Sequence, residues 1–509
     1  MSTSNPILPK QIGWGAGTQK RRKDMKKLLR MFLSAGLITL LAVAMTGCGD
    51  SDNDDDDYPA APTGISAVFN NATSATVSWT PVANATSYNI YYSANPDFTL
   101  TTATGVTKIS NVTTSPHRFD DVAFTVNTPY YFIVTAVNAD GESAASLKVS
   151  AQYATFAQGD LTGTWYVTVF QTGAGGPDGF GWIRMTIPLD ATGAVKTADA
   201  ALCYQDSNGG STWPTTGDPA VPIPLQFTID PLENGIVRQV GFGGELSHNI
   251  MSSNKDLIIG TLSFSADTKQ IRIFQRVQPG VVFNQADDLD GKSFVFHQLA
   301  SGLTADGWRH GTGTISAASG TEGLVTINSF ASDQTAVITP PTLPAAMDTL
   351  TLDANGVVTS TDLKFKGFMS SDISGNNKKL IVGTTTTAEG NYELTVIQIT
   401  ESETFTYGDL AGYYNFSSLF GGVPGGYFQY GTLKINSLGY TEFPNFNDNG
   451  TPDVDIDPIT LDIDQDGTIS QVADPSFHGT LSATKDLLVS TYTLEEEETA
   501  LYGLSLAVK

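Results

Sequence analysis

Beyond residue 58, apolar and polar residues alternate in short runs, as in Ala75-Thr76-Val77-Ser78-Trp79, and Gly, Pro, Asn and Asp separate one run from the next. A period of two marks strands with one face toward a core, and the punctuating residues suit tight turns. The pattern predicts an all-β chain. One segment departs from it: Met31 to Met45 (MFLSAGLITLLAVAM) is almost continuously apolar.

The strands recur in a fixed order. Phe156 to Gly163 (FAQGDLTG) returns as Phe283 to Gly291 (FNQADDLDG) and as Phe405 to Gly412 (FTYGDLAG), each time followed by an aromatic strand. A Gly-aromatic pair comes next in each copy: Gly181-Trp182, Gly307-Trp308 and Gly426-Tyr427. Hairpin turns then end in Asn234-Gly235, Asn355-Gly356 and Asp466-Gly467, pairs that accept the positive φ of tight hairpins. After them stand Phe242 to Ser247 (FGGELS), Phe365 to Ser370 (FKGFMS) and Phe477 to Ser482 (FHGTLS). Each copy closes on a buried-looking strand, Lys255 to Thr261, Lys379 to Thr384 or Lys485 to Thr491. Three diverged copies of one β-meander therefore occupy 156–282, 283–404 and 405–509, each with roughly seven strands joined by short turns.

Two architectures fit such repeats. In a propeller-like body each copy supplies two four-stranded blades; in the alternative each copy closes on itself as an up-and-down barrel-like domain. The near absence of linker between copies favours one continuous body, while Leu161-Thr162-Gly163-Thr164-Trp165 resembles the opening strand of avidin and lipocalin barrels. The repeats also resemble those of uncharacterised lipoproteins from delta-proteobacteria, a likeness that implies no activity.

The apolar segment is preceded by Arg21, Arg22, Lys23, Lys26, Lys27 and Arg30, and ends at Thr46-Gly47-Cys48. A basic stretch followed by a short apolar run is the pattern of an export signal. Met45-Thr46-Gly47-Cys48 resembles the bacterial lipobox, which implies acylation (palmitate among the chains) of Cys48 and a signal peptide spanning 1–48. Met25-Lys26-Lys27 has the look of the true start. The acidic run Gly49 to Asp57, within 49–58, cannot collapse and predicts a solvated tether. By analogy with lipoprotein sorting, Gly49 after the cysteine favours the outer membrane, facing the periplasm or the cell surface.

Residues 59–152 carry a second resemblance. Trp79, the run Ser87 to Tyr92 (SYNIYY), the run Thr128 to Asn138 (TPYYFIVTAVN) and Gly141-Glu142-Ser143 are similar to a fibronectin type III domain along its whole length. The likeness implies a seven-stranded sandwich with Trp79 in its core and Tyr130 as the tyrosine-corner residue. It implies a spacer or adhesion module, and no Arg-Gly-Asp tripeptide is present.

Composition narrows the function classes. A formal charge of −25, with no cluster of Lys and Arg beyond residue 30, repels phosphate backbones and argues against nucleic acid. Two cysteines, one of them assigned to lipid, exclude a disulfide framework. His117, His248, His297, His310 and His478 show no metal-binding spacing, and His478 falls where the other copies carry Gly243 and Lys366. No catalytic motif appears, so the chain is expected not to be an enzyme. Trp165, Trp182 and Trp308 repeat between copies and are expected in the core; Trp213, in a Gly/Ser/Pro-rich loop, is the candidate ligand-binding aromatic. No cofactor is certain from the sequence; calcium is the candidate, with a solvated acidic loop as the alternative. Asn445, Asn447, Asn449, Asp453, Asp455 and Asp457 resemble a thrombospondin type 3 calcium loop, with Asn at the first three acidic positions. These readings point to a membrane-anchored extracytoplasmic lipoprotein that binds or scaffolds a partner protein or polysaccharide. The alternative is a secreted carbohydrate-active enzyme with an accessory fibronectin type III domain.

Overall fold

The computed structural model describes residues 58–509 apart from 102–103, 121, 127, 174–178, 211–224, 230–234, 241–246, 266, 304–305, 318–321, 335–344, 361–364, 372–377, 389, 422–425, 449–450, 453–457 and 497–498. The signal segment, Cys48 and the acidic tether lie outside the described residues.

Seven strands open the described chain: β1 (Thr63–Asn71), β2 (Ser74–Thr80), β3 (Ser87–Ser93), β4 (Thr107–Val112), β5 (His117–Phe119), β6 (Pro129–Val137) and β7 (Val149–Gln152). They form two sheets, β1-β2-β5 and β4-β3-β6-β7. Their inner faces meet at Trp79, whose ring lies 4.9 Å from that of Tyr88. The Tyr130 hydroxyl accepts from the Thr125 amide at 3.1 Å, the backward bond of a tyrosine corner.

The first copy follows as β8 (Gly163–Gly173), β9 (Gly181–Leu189), β10 (Cys203–Asp206), β11 (Phe227–Ile229), β12 (Ile236–Gln239), β13 (Ser247–Met251), β14 (Leu257–Ser265) and β15 (Thr268–Val277). The second runs as β16 (Ser293–Gly302), β17 (Gly307–Ala317), β18 (Gly323–Gln334), β19 (Ala345–Leu352), β20 (Val357–Ser360), β21 (Lys366–Ser370), β22 (Leu380–Ala388) and β23 (Asn391–Thr400). The third has β24 (Gly412–Gly421), β25 (Tyr427–Ile435), β26 (Thr441–Asp448), β27 (Thr451–Pro452), β28 (Leu461–Ile463), β29 (Thr468–Gln471), β30 (Asp474–Leu481), β31 (Leu487–Glu496) and β32 (Thr499–Val508).

Of the two architectures open to the sequence, the barrel-like one is present and the propeller-like one is corrected. In every copy the last strand returns to the first strand of the same copy: Phe274 opposes Val167, Ile397 opposes Phe296, and Ala507 opposes Phe416. The second copy is a closed barrel, β16 through β23 in chain order. The first and third are curled sheets whose free edges are bridged at one end, by Ala194 to Gln226 and by Tyr440 to Thr460. There are also more strands than expected. The short ones after each hairpin turn, β12, β20 and β29, hold too few residues for alternation to announce them.

The repeated Phe-to-Gly motif forms the stopper of each barrel. A single helical turn carries Leu161, Leu289 or Leu410 into the interior, each fully buried. The preceding Phe156, Phe283 or Phe405 lies against the hairpin glycine, and this contact explains the glycine. Gly356 has φ +88°, and a Cβ there would come within 2.8 Å of the Phe283 ring. The stopper's acid pairs with a lysine of the hairpin before the penultimate strand: Lys255–Asp160 at 2.9 Å, Lys378–Asp288 at 2.8 Å and Lys485–Asp409 at 2.9 Å. The matching residue in the second copy is thus Lys378, and Lys379 stands one position later, where its siblings have Asp256 and Asp486.

The sandwich packs against the third copy. Ile65 donates its amide to Ser437 Oγ at 2.7 Å, and the Ser437 amide returns to the Ile65 carbonyl at 2.9 Å. Ala411, next to the third stopper, is buried within the sandwich core.

Candidate functional site

The outward faces of the three barrels meet in a shared apolar core. Strand pairing places four sets of equivalent residues there: Phe170, Leu299 and Leu419; Trp182, Trp308 and Phe428; Ile259, Val382 and Val489; Ile273, Val396 and Leu506. Along β8 the alternate side chains Trp165, Val167 and Val169 fill the barrel instead. Trp165, Trp182 and Trp308 are all buried, the first within its barrel and the other two between barrels.

Polar contacts repeat around this core with the same sense. Trp182 Nε1 donates to Thr386 Oγ1 at 2.9 Å, from the first copy to the second. Trp308 Nε1 donates to Thr493 Oγ1 at 2.8 Å, from the second to the third. At the third junction Phe428 has no N–H. There Lys269 of the first copy lies over the Phe428 ring and donates to Ser263, the residue equivalent to Thr386 and Thr493, at 2.7 Å. The three copies therefore close a ring with pseudo-threefold order.

Four histidines sit at these junctions. His297 is fully buried, with its ring nitrogens 3.4 Å from Thr491 Oγ1 and 3.0 Å from Thr480 Oγ1. Its ring centroid is 4.7 Å from that of His310, which stacks on His478 at 4.9 Å. His248 stacks on Tyr430 at 4.0 Å between the first and third copies. Burial lowers the pKa of His310 and of His248 to about 4, and that of His297 well below the ordinary imidazole range. The pairing register also corrects the alignment: His478 faces Thr491 as His248 faces Thr261 and Lys366 faces Thr384, so His478 matches His248 rather than Gly243.

At one end of the ring a pocket with a cavity of ≈ 60 Å³ opens where the hairpins of all three copies converge. Leu257, Leu380, Leu487 and Val508 form its apolar lining, and Ser252, Asn254, Asp256, Ser371, Lys379, Gln398, Ser482, Thr484 and Asp486 supply polar groups. Asn254 Nδ2 links the two acids, donating to Asp486 Oδ2 at 2.9 Å and to Asp256 Oδ2 at 3.1 Å. Burial and then the Asp486 charge push the Asp256 carboxyl up to about 7. Lys379 is held by Glu401 at 2.8 Å. Gln398 is 4% exposed, and both its Nε2 and Oε1 lack a hydrogen-bond partner. Among the described residues it alone leaves both atoms of a side-chain amide unsatisfied.

Sequence reasoning missed this pocket. Asp256 and Asp486 do follow a lysine at the same repeated position, but aligning Lys379 with those lysines hides the substitution of acid by base in the second copy. Of the residues it did select, Asn445 and Asn447 lie on β26 as neighbours on one face, with Asn447 Nδ2 donating to Asn445 Oδ1 at 3.3 Å. Asn449, Asp453, Asp455, Asp457 and Trp213 lie outside the described residues. Among the described residues no three His, Cys, Asp or Glu side chains are grouped to hold a metal.

Residues 60–152 match the fibronectin type III domain family model. No curated protein matches the chain. Among solved structures it is similar to an Fn3-like protein from Clostridium thermocellum, 29% identical over 20% of this chain and 98% of that one, with a TM-score of 0.16. A DUF3598-family protein from Nostoc punctiforme is 12% identical over 48% of this chain and 98% of its own, with a TM-score of 0.19. The isotype 1 transferrin binding protein B from serogroup B Neisseria meningitidis is 9% identical over 74% and 84%, with a TM-score of 0.20.

Proposed function

We propose that the protein is a membrane-anchored extracytoplasmic lipoprotein that binds or scaffolds a partner, through its three-barrel body and its fibronectin type III domain. The observation that carries this reading is the way the copies are spent. Their outward faces build one body, and the hairpin turns that end those faces converge on a polar pocket. A partner protein or an extracellular polysaccharide is the expected macromolecular ligand. The basic segment, the apolar run and Thr46-Gly47-Cys48 support an acyl anchor at Cys48, with the acidic run as its tether.

Two measurements test the reading. Replacing Cys48 by Ser is expected to abolish labelling by a fatty-acid probe and to release the protein from membranes; unchanged labelling removes the anchor. The released protein is expected to retain polysaccharides or envelope proteins on a binding column without cleaving them. New reducing ends from a polysaccharide would instead make it a carbohydrate-active enzyme.

A further inference from the structure

The pocket at the end of the ring has chemistry of its own, and it goes beyond the macromolecular role above. We propose that it binds a small organic cation that carries a primary ammonium group and a hydroxyl on a short carbon skeleton. Three features of the pocket define this class.

The first is Gln398. A buried amide with no partner on either atom carries the full desolvation penalty of both, so its occupant must donate to Oε1 and accept from Nε2. A bare metal ion cannot accept, and an alkyl group can do neither; a hydroxyl does both. The equivalent residue of the first copy, Gln275, has only its Oε1 unpartnered. Its Nε2 donates to the Phe368 carbonyl at 3.1 Å, tying one copy to the next. In the third copy the position is Val508, with no polar atom to satisfy. Gln398 is therefore the one member of this set with neither amide atom engaged.

The second feature is the acid pair. Asp256 and Asp486 share the Asn254 amide, and Lys379, the only cationic side chain among the described residues of the pocket wall, is already engaged with Glu401. Burial first and the Asp486 charge second hold the Asp256 proton in place, and a positive group between the two carboxylates would relieve the second of these. The third is the apolar lining of Leu257, Leu380, Leu487 and Val508, which suits methylene groups and not a hydrated inorganic ion. The cavity is small, ≈ 60 Å³, and suits a molecule of a few heavy atoms. That is the size of 2-aminoethanol.

Calorimetric titration of the full chain with ethanolammonium, propylammonium and ethane-1,2-diol tests the proposal. Ethanolammonium is expected to bind saturably, with the diol at least tenfold weaker. Asp256→Asn is expected to weaken both ammonium compounds about tenfold or more. Gln398→Leu is expected to weaken ethanolammonium while leaving propylammonium, which has no hydroxyl, unchanged, and that retained binding also shows the variant to be folded. Absence of saturable ethanolammonium binding overturns the proposal, as does equal affinity for the diol or displacement by calcium at lower concentration. None of these failures touches acyl anchoring or macromolecular binding, which are read in separate assays.

Discussion

Trp182 and Trp308 do two jobs at their junctions, filling apolar volume and donating one hydrogen bond to the next copy. The two contributions can be separated. Trp308→Phe removes the donor to Thr493 with part of the ring volume and is expected to cost about 1–2 kcal/mol, whereas Trp308→Ala is expected to cost about 3–5 kcal/mol through the cavity it leaves. Urea unfolding of the two variants reads the difference. That the third copy already carries Phe428 shows the fold accepting the smaller loss, with Lys269 taking the place of the indole contact. The junction histidines set a pH response. Their folded pKa values are depressed, so below about 6.5 the unfolded chain takes up protons that the folded one refuses, and stability falls as the pH drops toward 4. Asp256 works with the opposite sign, because its raised pKa stabilises the fold below about 7 and that contribution is lost as the pH rises from the unfolded carboxyl value through 7. The comparison that isolates the histidines is the urea midpoint of wild type against His310→Gln between pH 7 and 4.5, where the variant is expected to lose less.

At the scale of elements, the stopper and its hairpin form the unit that repeats most faithfully. A phenylalanine, a positive-φ glycine and an acid–lysine pair recur in all three copies. Gly356→Ala is expected to cost more than the usual 1 kcal/mol of a strained turn, because the added methyl must also displace the Phe283 ring. Thermal unfolding checks this, with Gly105→Ala as the control: its φ is +74° but nothing lies within 4 Å of the new Cβ. These elements were legible in the sequence because each needs a particular residue type: Gly for positive φ, an aromatic for the stopper, Asn or Asp before the turn. The sandwich was legible for the same reason, through Trp79 and Tyr130. What the sequence did not disclose is which way the outward residues of each strand face. An apolar side chain on the outside of a barrel looks the same whether it serves a blade, a barrel wall or a sibling barrel. The alternation of β8 is consequently blurred, with Trp165 and Phe170 buried on opposite faces. The pocket was hidden by a gap of one residue at Lys379, enough to exchange an acid for a base in the alignment.

The shared core makes the three barrels one body, though each copy pairs its strands only with its own. Removing the third copy, from Phe405 onward, would leave strands β8 to β23 intact yet uncover Leu299, Trp308 and their neighbours to water. The expected outcome is a fragment that keeps strand signal by circular dichroism but aggregates, or melts well below the whole protein. A monomeric fragment with unchanged melting temperature would mean that the core contributes little.

The ring has a further consequence for how the chain acquires its shape. Thr172 of the first barrel donates to the carbonyl of Phe420 at a sequence separation of 248, so the first barrel waits for the last copy before its outer wall is covered. Contacts that distant in sequence form late, after a long loop has been closed against its entropy. A polypeptide emerging in order from its N-terminal side therefore passes through a stage in which two finished barrels display a greasy flank. Holding that flank soluble is a task for a chaperone in whichever compartment receives the chain, and depletion of such a factor should strand the protein at the two-barrel stage rather than unfolded.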